Sequence, residues 1–297
     1  MLPAVSLARL RAALAASGAP PRRRHGQHFL VDNNLLALIA REGGAGPDDT
    51  VLEIGPGPGL LTRHLLASGA QVVAVEIDPR ARGAADALIE PELRPRLEWI
   101  EGDALAGTRA LSPALLERLP HCTHLVSNLP YNVSVPLLLN LLTEPVGPRR
   151  LVATVQREVG ERLLAGPGGR DYGPVSVVAA LCAERRLVRA IGPQAFWPRP
   201  RVESVVLALD RRGRRPQTLA LGELQAFMPL AFHTRRKRLP NSVALATGRG
   251  AEEVARLLGL GENLRTWRAE AFSPLQLCAL AHRWAIHARA GDTAPDS

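Results

Sequence analysis

Val51-Leu52-Glu53-Ile54 runs directly into Gly55-Pro56-Gly57-Pro58-Gly59, and this stretch decides the fold. The first four residues predict a buried strand, and the alternating glycines predict a tight turn that opens a helix through about Ser68. A strand that ends in a glycine turn and a helix is typical of an α/β sheet. Glycine at such a turn lets the backbone approach a ligand closely. The stretch therefore predicts a ligand site at the carboxyl end of this strand.

Other apolar runs predict the remaining strands of this sheet, at 71–77, 97–100, 124–128 and 151–155. Helical patterns lie between them, and strands that alternate with helices predict a parallel, doubly wound, Rossmann-like sheet of the α/β class. Two later apolar runs, 175–181 and 202–209, are expected to close the sheet, with an antiparallel edge.

The charged run Arg211-Arg212-Gly213-Arg214-Arg215-Pro216 indicates a linker between two domains. Beyond it, helical patterns at 219–232, 250–259 and 274–289 have no strand between them and predict a small C-terminal all-helical domain. The expected organisation is an N-terminal helix and basic segment at 1–21, a large α/β domain at 22–210, a helical domain at 211–290 and a tail at 291–297.

The charge balance favours a polyanionic partner. Lys and Arg number 37 against 28 Asp and Glu, a net charge of +9, which favours nucleic acid first and an anionic membrane second. Basic clusters lie at 22–24, 211–215 and 235–238. Residues 122–143 contain no Asp, Glu, Lys or Arg, but Asn128, Pro130 and other amides and prolines interrupt them, so no membrane span is predicted.

Cysteine and histidine usage predicts a cytoplasmic protein without a metal. The 3 cysteines are far apart and form no C-x-x-C motif, which fits a reducing cytosol. His121 and His124 are close in sequence but are joined by no thiolate or carboxylate cluster, so a metal site there is disfavoured.

Two carboxylates follow the glycine turn at successive strand ends. Glu76 lies 21 residues after Gly55, where an acidic side chain can accept from two ribose hydroxyls, and Asp103 can accept from an adenine amino group. The fingerprint G-x-G-x-x-G would need glycine in place of Leu60, so a nicotinamide cofactor is disfavoured. The pattern predicts a nucleoside pocket. The alternative is that the glycines serve only turns and the carboxylates only cap helices.

Asn128-Leu129-Pro130-Tyr131 ends the strand at 124–128 and predicts a seat for an amine. The Asn128 side-chain oxygen and the Leu129 carbonyl can accept both hydrogens of an exocyclic amino group, and Pro130 stiffens the backbone between them. Tyr131 can stack on the ring that carries the amine. An ordinary strand-end turn is the alternative reading. A nucleoside pocket beside an amine seat suits methyl transfer from S-adenosylmethionine to a base nitrogen.

The chain resembles the ribosomal RNA adenine N6,N6-dimethyltransferase family, and most closely its bacterial small-subunit (16S) branch. The resemblance covers residues about 22 to 245. Its matching motifs are G-Q-x-F-L at 26–30, E-I-G-P-G at 53–57, Glu76 with Asp78, G-D-A-L at 102–105, N-L-P-Y at 128–131, Q-R-E-V at 156–159, F-x-P-x-P-x-V-x-S at 196–204 and R-R-K at 235–237.

The resemblance implies a class I methyltransferase sheet that uses S-adenosylmethionine and no metal. It places cofactor contacts at His28, Leu30, Gly55, Glu76, Asp103 and Asn128. The family usually has Asn at the position of His28, and imidazole cannot reproduce both the donor and the acceptor of an amide. The predicted methyl-transfer residues are Asn128, Leu129, Pro130, Tyr131 and Phe196, the two rings being candidates to stack on a flipped base.

The implied substrate is a pair of adjacent adenines near the 3′ end of small-subunit ribosomal RNA, within an assembling 30S particle, and the protein is expected to act as a monomer. Three alternatives remain at this point. They are a large-subunit adenine methyltransferase of the macrolide-resistance type, a DNA adenine methyltransferase, and a non-catalytic RNA-binding assembly factor.

Overall fold

The computed structural model describes residues 2–21, 27–107, 110–213 and 221–291. The basic run Arg22-Arg23-Arg24, part of the predicted linker (Arg214 to Pro216) and the last residues of the predicted tail lie outside the described residues. The chain divides into two compact units, which are Met1–Gly160 with Ala183–Arg211, and Glu161–Cys182 with Arg212–Ser297.

The first unit contains the strands. They are β1 Phe29–Leu30, β2 Thr50–Ile54, β3 Gln71–Glu76, β4 Leu97–Glu101, β5 His124–Asn128, β6 Arg150–Gln156, β7 Ala183–Ile191, β8 Phe196–Trp197 and β9 Ser204–Arg211. Its helices are α1 Leu7–Ala16, α2 Asn33–Gly43, α3 Leu60–Ala67, α4 Arg80–Leu88, α5 Pro113–Arg118 and α6 Ser134–Thr143, and α7 Arg157–Leu164 begins in it.

Seven strands form one sheet in the order β4-β3-β2-β5-β6-β9-β7. The first five strands in this order, from β4 through β3, β2 and β5 to β6, each pair in parallel with their neighbours. Strand β9 pairs antiparallel with both β6 and β7. Successive residues Val51 and Leu52 point to opposite faces of β2 and are both buried, so both faces of the sheet are covered. The doubly wound α/β fold predicted from the strand and helix pattern is confirmed. Because β9 runs antiparallel, its first residue, Ser204, lies at the carboxyl edge of the parallel strands.

The run 175–181 was predicted as a strand and is instead part of α8, Pro174–Cys182, in the second unit. A short, continuous apolar run does not distinguish a buried strand from a buried helix. Local signals favour the helix, because Pro174 occupies its first position and the Ser176 hydroxyl accepts a hydrogen bond from the Gly173 N–H at 3.1 Å. The strand that extends the sheet is β7, where exposed charged residues such as Glu184 concealed the strand pattern.

The second unit is helical in its described part. Besides α8 it contains α9 Leu221–Ala231, α10 Leu239–Thr247, α11 Ala251–Leu257, α12 Glu262–Arg265 and α13 Pro274–Gly291. The Tyr172 hydroxyl donates to the Phe272 carbonyl at 3.0 Å, and Arg235 donates to the carbonyls of Arg170 and Tyr172. These bonds join residues 161–182 to segments between the C-terminal helices. The second compact unit therefore includes 161–182, whereas the sequence predicted that the helical domain would begin only at 211.

Gly59, the last glycine of the turn, serves packing between two helices. It has φ +76° at the start of α3, and a Cβ there would lie 2.9 Å from Ile89 Cδ1 and 3.1 Å from Ala85 Cβ on the α4 side. Gly18 has a similar φ of +65°, but a Cβ there would meet nothing within 4 Å.

We therefore expect Gly59→Ala to lower the free energy of unfolding by about 2–5 kcal/mol, because left-handed strain adds to overpacking. Gly18→Ala carries the strain alone and should cost about 1–2 kcal/mol. Urea denaturation of the two variants measures the difference. Equal losses would show that the contact with Ile89 and Ala85 relaxes without cost.

Candidate functional site

A cavity of about 320 Å³ lies at the carboxyl ends of β2, β3, β4 and β5. This size and position are typical of ligand sites in α/β sheets. Eight of the predicted site residues line it, namely His28, Gly55, Glu76, Asp103, Asn128, Leu129, Pro130 and Tyr131. The structure therefore brings together the glycine turn, the strand-end carboxylates and the predicted amine seat in one cavity.

The two glycines of the turn that line the cavity are places of close approach. Gly55 and Gly57 have φ of +68° and +54°, which favour glycine. A Cβ on Gly55 would lie 3.0 Å from Pro130 Cγ, and one on Gly57 would lie 2.7 Å from Phe29 Cε1. Glycine at these two positions therefore leaves room for Pro130 of the predicted amine seat and for Phe29, the neighbour of His28.

Glu76 is held in place by the backbone around it. Its Oε2 accepts from the Gly57 N–H at 3.0 Å, and its Oε1 accepts from the Asp78 N–H at 2.9 Å. Burial raises the pKa of Glu76, while the backbone hydrogen bonds from Asp78 and Gly57 lower it. Because both oxygens are anchored, the carboxylate has a fixed position at the cavity wall.

Glu53 lies behind the glycine turn, on β2, with only 2% of its surface exposed. Burial raises the pKa of Glu53 to about 8, the Thr62 hydroxyl lowers it by a hydrogen bond, and the Glu76 carboxylate raises it. Thr62 donates that bond to Glu53 Oε2 at 2.7 Å. At neutral pH Glu53 therefore carries its proton.

Asp103 and Ile77 form the outer wall of the cavity. Asp103 is exposed, and its Oδ1 accepts from the Leu105 N–H at 2.9 Å, which fixes the side chain at the end of β4. Ile77 follows Glu76, lines the cavity and is 55% exposed, so its apolar side chain is accessible to a ligand. The sequence reasoning missed Ile77, although its place directly after the strand-end carboxylate was the available signal.

Asn128 lines the cavity, and its side-chain oxygen is an acceptor that no described residue uses. Its Nδ2 donates to the His28 carbonyl at 3.1 Å, and this bond determines which way the amide faces. Its Oδ1 is buried and receives no hydrogen bond from any of the described residues. A buried acceptor without a donor is costly, so this oxygen is a candidate to accept an N–H from a ligand.

Tyr131 and His28 form a stacked pair at the cavity, with ring centroids 5.6 Å apart and planes inclined by 29°. The Tyr131 hydroxyl shares a hydrogen bond of 2.8 Å with the Ser204 hydroxyl. The His28 Nδ1–H donates to the Pro198 carbonyl at 2.7 Å. Burial raises the pKa of Tyr131, so its hydroxyl stays protonated. The roles of Pro198 and Ser204 were not predicted, although both belong to the F-x-P-x-P-x-V-x-S motif.

Leu30 and Phe196 do not line this cavity. Their backbones pair between β1 and β8, and both side chains belong to the hydrophobic core, with Phe196 only 3% exposed. The expectation that Phe196 stacks on a base does not fit this placement, because core packing covers its ring. Leu30 instead lines a much smaller pocket beside the glycine turn.

The structure describes one of the three basic clusters in full. Arg235 to Arg238 are exposed, but Arg235 already bonds the Arg170 and Tyr172 carbonyls. The cluster at 22–24 and Arg214 with Arg215 lie outside the described residues.

The described part of the chain contains neither a cluster of metal ligands nor a membrane-spanning helix. Within the described ranges, no group of three or more His, Cys, Asp or Glu side chains is arranged to hold a metal ion. No helix of the described part is both long enough and apolar enough to cross a membrane.

Known proteins resemble this chain over most of its length. The family model described as "Ribosomal RNA adenine dimethylase" matches residues 19–273. A protein of Phenylobacterium zucineum named "Ribosomal RNA small subunit methyltransferase A" is 41% identical over 289 residues, 97% of each chain. A protein of the same name from Rhodospirillum rubrum is 42% identical, covering 92% of this chain and 93% of the relative.

Solved structures support the fold. A dimethyladenosine transferase from Plasmodium falciparum has a TM-score of 0.73 at 22% identity, covering 88% of this chain and 98% of the other. The 23S rRNA methyltransferase ErmE has a TM-score of 0.60 at 24% identity, covering 86% and 99%. At these identities the likeness establishes the shared architecture.

The buried Glu53 predicts a specific pH dependence of stability. Its pKa of about 8 in the folded protein lies above its ordinary value of 4.5, so the unfolded chain releases this proton first as pH rises. Stability from Glu53 is therefore full below pH 4.5 and is lost as pH rises towards 8.

We expect Glu53→Gln, which keeps an acceptor for Thr62, to gain stability over wild type by a few kcal/mol between pH 5 and pH 8. Urea denaturation of both proteins at these pH values measures the change. Parallel pH profiles would contradict a raised pKa at Glu53.

Proposed function

The chain belongs to the ribosomal RNA adenine dimethylase family, and from that premise we infer that it methylates N6 of two adjacent adenines near the 3′ end of small-subunit ribosomal RNA. S-adenosylmethionine is the methyl donor of this proposed reaction, and N6,N6-dimethyladenosines are its products. The observation that carries the proposal is the buried Asn128 Oδ1, an acceptor for which the described residues provide no donor.

The cavity residues fit S-adenosylmethionine. The anchored Glu76 carboxylate would accept from the ribose hydroxyls, and the exposed Asp103 carboxylate would accept from the adenine amino group. Ile77 would pack on the adenine ring. The left-handed glycines at 55 and 57 let the backbone approach the ligand without a Cβ in the way. The proposed cofactor half of the site thus lies over β2, β3 and β4.

The target adenine would sit on the other side, at β5. Asn128 Oδ1 would accept one N6 hydrogen, and the Leu129 carbonyl, directed by the rigid Pro130, would accept the other. Tyr131 would stack on the base, which must leave its RNA stack to enter the cavity. In this arrangement the His28 ring, which stacks on one face of Tyr131, supports that ring.

The chemistry asked of these residues is mainly positioning. S-adenosylmethionine, when bound, supplies an electrophilic methyl group. The N6 lone pair of adenine is delocalised into the ring, and acceptors that draw both hydrogens out of the ring plane localise it on nitrogen. The nitrogen's proton leaves to solvent after it gains the methyl group, so no strong base is needed. Holding the nitrogen and the methyl group together then supplies much of the rate enhancement.

A second methylation uses the same seat. Monomethylated N6 keeps one hydrogen, which Asn128 Oδ1 or the Leu129 carbonyl can still accept. After the second transfer no hydrogen remains, the acceptors lose their partner, and the product base has less to hold it. This loss of hydrogen bonds favours release of the dimethylated base.

Partner and location follow from the family and the charge. The excess of 37 Lys and Arg over 28 Asp and Glu suits RNA, and relatives named for the small ribosomal subunit suggest an assembling 30S particle as the working substrate. We further propose a cytoplasmic monomer, with residues 22–210 carrying catalysis and the helical part at 211–290 contributing RNA contacts.

Replacing Asn128 tests the amine seat. We expect Asn128→Ala to lower kcat for methyl transfer by on the order of 10²–10³-fold, the loss typical of one preorganised hydrogen-bonding group. S-adenosylmethionine binding, measured by calorimetry, should be much less affected. Asn140→Ala is the matched control, since Asn140 also has a buried amide atom without a partner among the described residues but does not line the cavity. Full activity in Asn128→Ala would contradict the proposed role.

The choice of substrate has its own assay. Labelled S-adenosylmethionine is offered with undermethylated small subunits, large subunits or DNA, followed by primer extension on the RNA. Dimethylation removes both N6 hydrogens and blocks pairing, so two adjacent stops near the 3′ end of small-subunit RNA are expected. Label confined to large-subunit RNA, or to DNA, would overturn the proposed substrate. No label in any of them would favour the non-catalytic alternative.

A further inference from the structure

A short loop beside the cavity is held by the same side chains that form the base half of the site. We name Pro198–Glu203 the arginine loop. At its start the Pro198 carbonyl accepts from His28 Nδ1 at 2.7 Å, and just after its end Ser204 bonds the Tyr131 hydroxyl at 2.8 Å. His28 and Tyr131 both line the cavity. The loop is therefore attached at both ends to the stacked pair.

The arginine loop presents two arginines that are not committed to the protein. Arg199 and Arg201 are exposed, and neither has an ion pair or a hydrogen bond from its guanidinium to any described residue. The acid of the loop, Glu203, is paired with Arg157 at 2.8 Å and does not neutralise them. Several other arginines of this unit have carboxylate partners, namely Arg149 with Asp49, Arg150 with Asp210, and Arg186 with Glu42.

The backbone of the arginine loop is restricted by two prolines, which limits the positions that Arg199 can take. Pro198 and Pro200 flank Arg199, and Pro200 is buried. Because prolines restrict the backbone before binding, the loop loses less conformational entropy when a ligand binds. Because the loop leads into β9, which is antiparallel to β6, it lies at the carboxyl edge of the sheet, where the cavity opens.

The charges along this edge are arranged by sign. Glu76 and Asp103 stand at the ends of β3 and β4, on one side of Asn128. The arginine loop precedes β9, on the other side of Asn128 in the strand order. A polyanion that delivers a base to Asn128 is repelled from the carboxylate side and attracted to the arginine side.

We propose that Arg199 and Arg201 bind the phosphates of the RNA strand that flank the adenine held at Asn128. This inference rests on the proposed function, because it assumes that the base in the cavity belongs to RNA. Guanidinium groups bind phosphate oxygens with two parallel hydrogen bonds, so the pair fixes the strand while the base leaves its stack. The contact carries no base specificity; it positions the nucleotide next to the stacked pair.

The test compares wild type with Arg199→Ala/Arg201→Ala in binding to undermethylated small subunits and to protein-free small-subunit RNA over a range of salt. The affinity of the double variant should fall by on the order of tenfold per arginine at low salt. The slope of log K against log salt should decrease by about one for each arginine removed. The KM for subunits should rise, while kcat at saturation and S-adenosylmethionine affinity stay near wild type.

Two further variants test whether the position of the arginines and the geometry of their guanidinium groups matter. Arg41→Ala/Arg96→Ala removes the same charge from the opposite edge of the sheet, at the end of α2 and just before β4, and should leave the salt slope within error of wild type. Arg199→Lys/Arg201→Lys keeps the charge but not the bidentate geometry, and should recover the salt slope with only part of the affinity.

Several outcomes would overturn the inference. They are an unchanged salt slope in Arg199→Ala/Arg201→Ala, an equal change in the Arg41/Arg96 control, and a loss seen on the subunit but not on protein-free RNA, which would point to an acidic protein instead. The proposed function fails separately: wild type would then transfer no methyl group to small subunits, whatever the binding data of the variants show.

Discussion

The hydrogen bond from Asn128 Nδ2 to the His28 carbonyl is the interaction on which the rest of the site depends. An amide can face a cavity with either its oxygen or its nitrogen, and only the oxygen can accept from an amine. The bond to His28 decides this orientation and leaves Oδ1 without a donor from the described residues. The carbonyl that does so belongs to the residue whose ring stacks on Tyr131. One residue therefore sets both the hydrogen-bonding edge and the stacking face of the proposed adenine site.

Much of the fold follows from sequence periodicity, and the failures have physical causes. The apolar strands β2 and β3, which lead to Gly55 and Glu76, are buried on both faces, so their pattern predicts the parallel sheet directly. The prediction of a strand at 175–181 was wrong because the length and hydrophobicity of this run fit a buried helix equally well. Strand β7 was not predicted, because an edge strand tolerates charged residues that a central strand does not.

The placement of several site residues could be predicted from the sequence, but their contacts could not. Carboxylates and an amide at successive strand ends meet at one edge whatever the packing, so Glu76 and Asn128 were predictable. Phe196 was not, because its motif indicates a role near the site while its burial depends on pairing between β1 and β8. The hydrogen bond between Ser204 and Tyr131 joins residues 73 positions apart, so no local sequence pattern predicts it.

The late position of β9 in the chain has a consequence for the order in which the protein is made. Every residue proposed to hold S-adenosylmethionine lies within β5 or before it, so these residues leave the ribosome first. The Pro198 carbonyl and the Ser204 hydroxyl, which fasten His28 and Tyr131, are synthesised about 70 residues later. A nascent chain that ends at β6 thus contains the proposed donor site in full but not the fastenings of the acceptor site. Competence for methyl transfer would then be acquired only with the last strand, after the chain has committed to its sheet.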